Sequence, residues 1–322
     1  MSWEKSLLAA YQLDGKGGGK KASWSEIDHN NDEGVGWIHL DSNSCQTEEW
    51  LNKSYKLDSK ITKLLLSKES RPRCIISADG ILLILRDLTS SSNANPQDML
   101  SIKIWIDKHH IITTCNTNSE VINKIVSEIE RGQAPSNPTQ FLVRINNKVT
   151  RTIGEVLLEL IDKTDELEDE IITAQSNLLR PKIADIRRKA ILLHRYLAPH
   201  RDACNRLELE RLSPLTSEDD RTGMREVSQL IMRYLEDIDS IRDRTVVNYE
   251  QLESRLVEQM NQRMYMLSMV AVIFLPLSFI TGLLGINVGG IPGVKDHWAF
   301  PIVCISLFIL LGLMLYYFHR KK

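Results

Sequence analysis

Side chains able to handle a hydrated ion recur along an uncharged segment near the C-terminus. Residues 264–294 contain no Asp, Glu, Lys or Arg, and small, hydroxyl, amide and thioether side chains recur there and just before it at steps of three and four. That spacing places them on one face of a helix. Such groups hydrogen-bond to water without holding a cation tightly, as the wall of an ion path requires. The face consists of Asn261, Met264, Ser268, Ala271, Leu275, Ser278 and Gly282.

This face has a second interpretation that the pattern leaves open. Small residues also allow helices to approach closely in lipid, so the same stripe can be a packing face. An ion path would require several copies of the chain, because one or two helices cannot enclose a pore. Its narrow apolar girdle would consist of Met264, Leu267 and Leu275, and such constrictions gate ion flow by losing water.

The polar face ends at the run Gly285-Ile286-Asn287, which begins a glycine-rich loop. Asp296 and His297 close that loop and are candidates for capturing an ion outside the path. The alternative, which we favour, is an ordinary solvated loop end in which Trp298 anchors the next helix at the membrane interface.

Two segments, about 264–284 and 298–318, are apolar and uncharged. Each is long enough to cross a hydrocarbon core of about 30 Å, which takes about 20 residues. Residues 285–297 are too few for a further domain, so the sequence predicts a membrane hairpin covering 264–322. Basic residues flank both spans on one side, which places both termini in the cytoplasm and the loop outside.

The preceding residues carry almost all of the charge and predict a large cytoplasmic part. Lys and Arg number 40 against 42 Asp and Glu, which gives no sign of nucleic-acid binding. The five cysteines are widely spaced, as is typical of a reducing compartment. No nucleotide motif and no catalytic arrangement of carboxylates, Cys or His stands out, so we expect neither nucleotide binding nor an enzyme.

Residues 1–145 predict an α/β domain. Residues 34–41 alternate like a half-buried strand, and Asp79-Gly80 separates two apolar runs as a hairpin turn does. Further strands are predicted at 99–106 and 110–115, and helices at 48–55, 60–66 and 119–131. The run DGKGGGKK at 14–21 predicts a flexible surface loop rather than a phosphate-binding loop, because no GxxxxGK[ST] is present.

Residues 146–263 predict a helical region. An acidic helix over 152–179 precedes a basic helix over 182–212, which favours an antiparallel pair held by facing ions. An alternative role for the acidic cluster is to collect cations near a pore mouth. A third helix is predicted from about Ser217. No Pro interrupts it before Pro276 and no Gly between Gly223 and Gly282, so it continues as a long stalk into the first span.

The end of the first span resembles a known family. Residues 276–287 read PLSFITGLLGIN, which is similar to the end of the first span in the CorA superfamily of divalent-cation transporters, where Gly-Met-Asn closes the helix. The Gly-Ile-Asn form, the following VGGIPG and the ending HRKK resemble the zinc-transporting ZntB branch. The segments RPR at 71–73 and IKIWIDKHHIIT at 102–113 are similar to the cytoplasmic domain of these transporters.

The resemblance implies an α+β cytoplasmic domain, long helices and a two-helix transmembrane hairpin assembled as a homopentamer in the bacterial inner membrane. Zn²⁺ would be the transported ion rather than a bound cofactor, and the partners would be lipid, divalent cations and further copies of the chain. Five loops carrying Gly285, Ile286 and Asn287 would ring the outer mouth. Ile286 stands where the family has Met. This departure puts the expected ion selectivity in question but not the expected architecture.

The spans contain no carboxylate or histidine, so a divalent ion would cross largely hydrated, held by Asn287 amides and backbone carbonyls. Any driving force would come from an ion or proton gradient. Two other functions stay open: a Mg²⁺ or Co²⁺ channel of the same fold, and a membrane-anchored scaffold or sensor. Candidates for a regulatory metal site, each more often a structural residue, are His29, His39, His109, His110, His194 and His200.

Overall fold

The structure is a computed structural model. It describes residues 6–23, 34–68, 71–88, 99–116, 119–173, 178–209, 217–286, 293 and 297–320. The chain divides into two compact units, Met1–Tyr249 and Glu250–Lys322, and the boundary falls inside one long helix.

The described residues form seven strands and seven helices. The strands are β1 (Leu7–Leu13), β2 (Gly19–Lys21), β3 (Val35–Asp41), β4 (Arg73–Ile76), β5 (Ile81–Asp87), β6 (Leu100–Ile106) and β7 (His110–Cys115). The helices are α1 (Cys45–Lys53), α2 (Ser59–Leu66), α3 (Glu120–Glu130), α4 (Pro138–Thr173), α5 (Leu179–Leu209), α6 (Glu218–Leu284) and α7 (Ala299–Arg320).

The first unit is built on a seven-stranded sheet in the order β2-β1-β3-β7-β6-β5-β4. All neighbours are antiparallel except β3 and β7, which pair in parallel with Trp37 opposite Ile111 and Leu40 opposite Thr114. Successive side chains of a strand point to opposite faces, so both faces of the sheet must be covered. On one face Ile38 packs with Trp50 and Leu65 of α1 and α2. On the other, the ring centroids of Trp37 and Phe141 of α4 lie 5.2 Å apart.

Two turn regions show how local sequence determines this sheet. The predicted hairpin at Asp79-Gly80 is confirmed, because β4 and β5 pair on either side of it. The predicted flexible loop at 14–21 is wrong at its end, where Gly19–Lys21 forms β2 against β1. The Asp14 carboxylate accepts hydrogen bonds from the amides of Lys16 (2.7 Å) and Gly18 (2.8 Å). The aspartate thereby occupies the position that an anion would need in a phosphate-binding loop.

Helix starts in this unit follow ordinary capping chemistry. The hydroxyl of Ser44 accepts from Gln46 N, the carboxylate of Asp58 from Lys60 N, and the hydroxyl of Ser119 from Ile122 N. Each cap satisfies an amide that has no partner within its helix. The caps therefore fix where α1, α2 and α3 begin.

The three long helices α4, α5 and α6 pack through apolar seams. On α6 the residues that recur at steps of three and four form such a seam, in which Tyr234 is half-exposed beside the buried Leu235. The buried members of the seam are Val227, Ile231, Ile238, Ile241, Thr245, Asn248 and Leu252. Gly154 allows α4 to approach the Tyr234 ring, since a Cβ there would stand 2.7 Å from Tyr234 Cζ. The helix continues for 67 residues, as predicted from the absence of helix breakers before Pro276.

In the unit Glu250–Lys322, the end of α6 and the whole of α7 are long and apolar enough to cross a membrane. Almost every side chain in these stretches is exposed within the single chain. Apolar surface of this extent is stable only in lipid or against other copies. The α+β domain, long helices and apolar C-terminal helices together confirm the predicted fold class.

Candidate ion pathway

The predicted pore-facing residues all lie on α6 in the unit Glu250–Lys322. Each is exposed in the single chain, and the apolar ones are among the most exposed, with Leu267 at 73% and Leu275 at 68%. The exposed set is Asn261, Met264, Leu267, Ser268, Ala271, Leu275, Ser278 and Gly282. The chain by itself therefore leaves this stripe without a covering element among its described residues.

The opposite side of the same helix is the side that the chain covers. Ile273 is only 7% exposed, whereas its neighbours in sequence are largely exposed. Ile273 lies about 200° around the helix axis from Ala271, on the far side from the polar stripe. A partly covered stripe runs through Met269, Ile273, Pro276, Leu277 and Ile280.

Helix α7 shows a similar division. Its partly covered residues recur at steps of three and four, while Phe300, Phe308 and Tyr316 between them are largely exposed. Cys304 lies on the covered stripe. The covered stripe is Val303, Cys304, Leu307, Leu310, Leu311, Met314 and Phe318.

The C-terminal end of α6 is closed by its own backbone. The amide of Gly285 donates to the carbonyls of Thr281 (3.0 Å) and Gly282 (3.2 Å). A Cβ at Gly285 would stand 3.2 Å from Thr281 O, so a larger residue would crowd this closing turn. The Thr281 hydroxyl donates to the carbonyls of Leu277 and Ser278. The two bonds of the Gly285 amide satisfy carbonyls of the last turn, which lack an ordinary partner within the helix.

Part of the predicted outer site lies outside the described residues. Asn287 and Asp296 are in this category, so their proposed roles stay predictions. Ile286 is exposed at the helix end, and His297 is exposed immediately before α7.

A match to a known family covers most of the chain. A family model described as CorA-like Mg2+ transporter protein matches residues 32–320. The chain belongs to the CorA-like family. Members of this family are transporters, and the predicted relationship to the CorA superfamily is confirmed.

Individual relatives cover nearly the whole CorA-like chain. It is 35% identical over 313 residues to the zinc transport protein ZntB of Pectobacterium carotovorum subsp. carotovorum (strain PC1), covering 97% of this chain and 94% of the relative. The solved full-length CmaX protein is 30% identical with a TM-score of 0.82, covering 98% and 97%. The CorA magnesium transporter from Methanocaldococcus jannaschii shares the fold, with a TM-score of 0.83 at 20% identity and 98% of both chains covered.

Three carboxylates at the acidic end of α4 form ion pairs in this CorA-like chain. Arg244 of α6 makes two hydrogen bonds to the Glu168 carboxylate (2.8 and 2.7 Å) and an ion pair with Asp165. These bonds lower the pKa of Glu168, with the Arg244 guanidinium as the main cause. Lys182 of the basic helix α5 pairs with Glu170 at 2.6 Å. The predicted facing pair of α4 and α5 is thus present, but the stronger partner of the acidic helix is α6.

Two of the candidate histidines are buried structural residues. His39 lies against Thr113, with 2.8 Å between its Nδ1 and the hydroxyl, and burial lowers its pKa to about 4. His200 lies 2.9 Å from the Asn146 side-chain oxygen through Nε2, and burial lowers its pKa to about 4 as well. Both rings are uncharged at neutral pH and belong to the core. His29 lies outside the described residues.

Of the other described histidines in the unit Met1–Tyr249, His109 is exposed and His110 and His194 are partly buried. His194 is 3.9 Å from Asp239, and His109 and His110 lie at the turn between β6 and β7 beside Asp107. Within the described ranges, no three His, Cys, Asp or Glu side chains stand close enough to hold a metal ion. The sequence analysis considered each histidine separately and did not predict that His109 and His110 lie beside Asp107 and Tyr55. The run DKHH at residues 107–110 was the signal that could have indicated this contact.

Proposed function

We propose that this chain transports Zn²⁺ across the bacterial inner membrane through a central pore of a homopentamer, with the polar stripe of α6 innermost. The observation that carries the proposal is the stripe of small, hydroxyl and amide side chains on α6, which is exposed in the single chain and lies opposite the partly covered side around Ile273. A helix in lipid alone would gain nothing from placing hydroxyls and an amide on its uncovered side.

The choice of zinc comes from the relatives. ZntB proteins 30–35% identical over at least 97% of the chain are named zinc transport proteins. The Gly285-Ile286-Asn287 ending, which suggested the zinc branch from sequence, agrees with this. The family description and the M. jannaschii structure name magnesium instead, which makes a Mg²⁺ channel the second candidate.

An ion on this path would keep most of its water. The stripe offers no charged ligand, and removing the hydration shell of a divalent ion without replacing it costs tens of kcal/mol on a Born estimate. Hydroxyls of Ser268 and Ser278 and five Asn287 amides would instead bind the hydration shell. Met264, Leu267 and Leu275 would form the apolar girdle, which conducts only when wet. Asp296 and His297 would raise the local cation concentration outside, and protons are the candidate coupling ion.

The orientation follows from charge. Arg255 and Arg263 precede the first span, and His319 and Arg320 end α7 in front of two further lysines. With basic residues retained on the cytoplasmic side, both termini and the sheet unit lie in the cytoplasm and residues 285–297 lie outside.

The test is flux into liposomes that contain a zinc-sensitive dye and the purified full chain. We expect Zn²⁺ influx that Asn287→Ala reduces at least about tenfold, because five amides at the mouth are lost together. Asn123→Ala is the matched control, since it removes the same amide from an exposed position on α3. Repeating the assay with a pH gradient tests proton coupling.

Other outcomes would change the function. Mg²⁺ influx without Zn²⁺ influx would favour the magnesium channel. No influx of any divalent ion, from a preparation shown to be folded and pentameric, would favour the scaffold or sensor. Equal loss in Asn287→Ala and Asn123→Ala would contradict the role of the outer amides.

A further inference from the structure

Two arginines line a groove of about 570 Å³ between the long helices α4 and α6 in the unit Met1–Tyr249. Arg151 comes from α4 and Arg233 from α6. From the hydrogen-bond donors gathered there we infer a binding site for the phosphoryl group of a small organic molecule. The site does not rest on the transport proposal, since it concerns equilibrium binding to a part of the chain that precedes both predicted spans.

The walls of the groove are held in place by close packing of the two helices. A Cβ at Gly223 of α6 would stand 2.7 Å from Val143 Cγ1, and a Cβ at Gly154 of α4 would stand 2.7 Å from Tyr234 Cζ. On both helices the residues that line the groove lie between these two contacts in sequence. The contacts fix the spacing of the helices, so the groove is formed before a ligand arrives, as is usual for small-molecule sites.

The groove presents donors whose charge the chain does not neutralise. Arg151 Nε donates to Asn147 Oδ1 (2.9 Å), which orients the guanidinium and leaves its two Nη groups for a ligand. Within the described ranges neither Arg151 nor Arg233 forms an ion pair with a carboxylate, whereas Arg244 pairs with two. The side-chain amide of Gln229 lines the groove as well. Two unneutralised guanidiniums in one groove repel each other, and an anion between them relieves the repulsion.

Both guanidinium groups act on the same neighbouring side chain, the Tyr234 phenol. Burial raises the pKa of Tyr234, and the charges of Arg233 and Arg151 oppose the rise. The carboxylates of Asp237 and Glu155 add to it by a smaller amount. Positive charges from the two helices therefore bear on one place in the wall of the groove.

A phosphoryl group matches these donors in charge and in geometry. A phosphate monoester carries a charge of about −1.5 to −2 at pH 7, which two guanidiniums neutralise. Its three free oxygens can accept from both planar guanidinium forks, whereas a carboxylate has two oxygens and a single charge. The exposed Glu226 also lines the groove and opposes an anion at a distance. Affinity must therefore come from direct hydrogen bonds to Arg151 and Arg233.

The groove is larger than a phosphate ion and has an apolar side. Val227 is buried and Leu230 is half-buried in its wall. Pockets of about 300–1,000 Å³ hold whole small molecules, whose body packs on apolar side chains while a few polar groups fix the orientation. The ligand class is therefore an organic phosphate rather than the free ion.

The experiment is calorimetric titration of the full chain in detergent at about 150 mM salt, where distant surface charges are screened. The probes are phenyl phosphate, inorganic phosphate and benzoate, which carries the same ring on a carboxylate. We expect one phenyl phosphate per chain and at least about tenfold weaker binding of benzoate. Arg151→Gln and Arg233→Gln should each weaken phenyl phosphate binding at least about tenfold, and Arg151→Lys should recover only part of the loss. Tighter binding of phenyl phosphate than of inorganic phosphate identifies an organic ligand, whereas equal binding identifies free phosphate as the source.

Arg187→Gln is the matched control, because it removes an exposed arginine from α5, outside the groove. Unchanged binding in both groove variants would overturn the site, and so would an equal loss in Arg187→Gln or equal affinity for benzoate. A change of oligomeric state in the groove variants, with phosphate binding unchanged, would assign the arginines to a contact between copies instead. Asn287→Ala should leave phosphate binding unaltered, so failure of the transport proposal and failure of this site are distinguishable. Both arginines are exposed, so folding does not limit the test.

Discussion

We expect the ionisation of the buried Asp87 to lower the stability of the unit Met1–Tyr249 at neutral pH relative to acidic pH. Its side chain is fully buried at the end of β5 and accepts hydrogen bonds from Leu88 N (2.9 Å) and the Ser119 hydroxyl (2.8 Å). Burial raises the pKa of Asp87 to about 6, although the two hydrogen bonds oppose the shift. Asp87→Asn removes the buried charge and keeps the shape of the side chain.

The magnitude follows from linkage. The pKa lies about two units above that of the unfolded chain, and each unit corresponds to 1.36 kcal/mol, so the ionised group costs on the order of 3 kcal/mol. Below about pH 4 the carboxyl is protonated in both states and costs nothing. Between about pH 4 and pH 6 the unfolded state loses its proton first, so stability falls as pH rises, and above that it stays lowered.

Asp87→Asn should therefore leave the melting temperature unchanged near pH 4 and raise it by about 6–12 °C at pH 7.5. The Ser119 hydroxyl can rotate to accept from the new amide, and the amide oxygen can still accept from Leu88 N. Tryptophan fluorescence reports unfolding of the full chain in detergent, because Trp37, Trp50 and Trp105 are all buried in the sheet unit.

Asp162→Asn is the control, since it removes an exposed carboxylate from α4. A melting difference between Asp87→Asn and the unsubstituted chain that is constant from pH 4 to pH 8 would refute the reasoning. A lower melting temperature in Asp87→Asn at pH 7.5 would do the same, because it would show that the ionised group is stabilising.

Two further predictions concern the helices. Gly154→Ala should lower stability by about 1–3 kcal/mol despite the better helix propensity of Ala, because its Cβ would overlap the Tyr234 ring, and adding Tyr234→Leu should recover most of the loss in a thermal melt. Ser268→Cys should react with a water-soluble thiol reagent in liposomes and block Zn²⁺ flux, whereas Ile273→Cys on the covered side should not, the unsubstituted chain giving the background. Additive effects of Gly154→Ala and Tyr234→Leu on stability would contradict the packing of Gly154 against the Tyr234 ring. Equal block of Zn²⁺ flux at both cysteine positions would contradict the pore assignment.

Local signals in the sequence were sufficient for several elements. The Asp79-Gly80 hairpin needs only a turn dipeptide between two apolar runs, and α6 needs only the absence of breakers over its length. The stripe from Asn261 to Gly282 was also visible as a helical period. The sequence did not predict which surface this stripe contacts, because that depends on other elements and on other copies of the chain.

Features that depend on distant partners were missed. The strand Leu7–Leu13 has only a short apolar run, and it becomes a strand because β3 and β2 pair with it. Arg244 of α6, rather than a residue of the basic helix α5, is the main ion-pair partner of the acidic end of α4. Charge alone does not distinguish the basic residues of the two helices, and the packing of the helices determines which of them is in reach. Lys103 is inside the sheet unit, where burial lowers its pKa to about 8, although its charge would have predicted exposure.

The parallel pairing of β3 with β7 sets an order of events during synthesis. β3 ends at Asp41, but its central partner ends at Cys115, so the sheet cannot close until more than 70 further residues have left the ribosome. The strands β4 to β6 can pair among themselves in the meantime. Both apolar helical stretches lie within the last 73 residues, in the unit Glu250–Lys322. The sheet unit is therefore translated, and free to fold, before the first membrane-directed segment emerges.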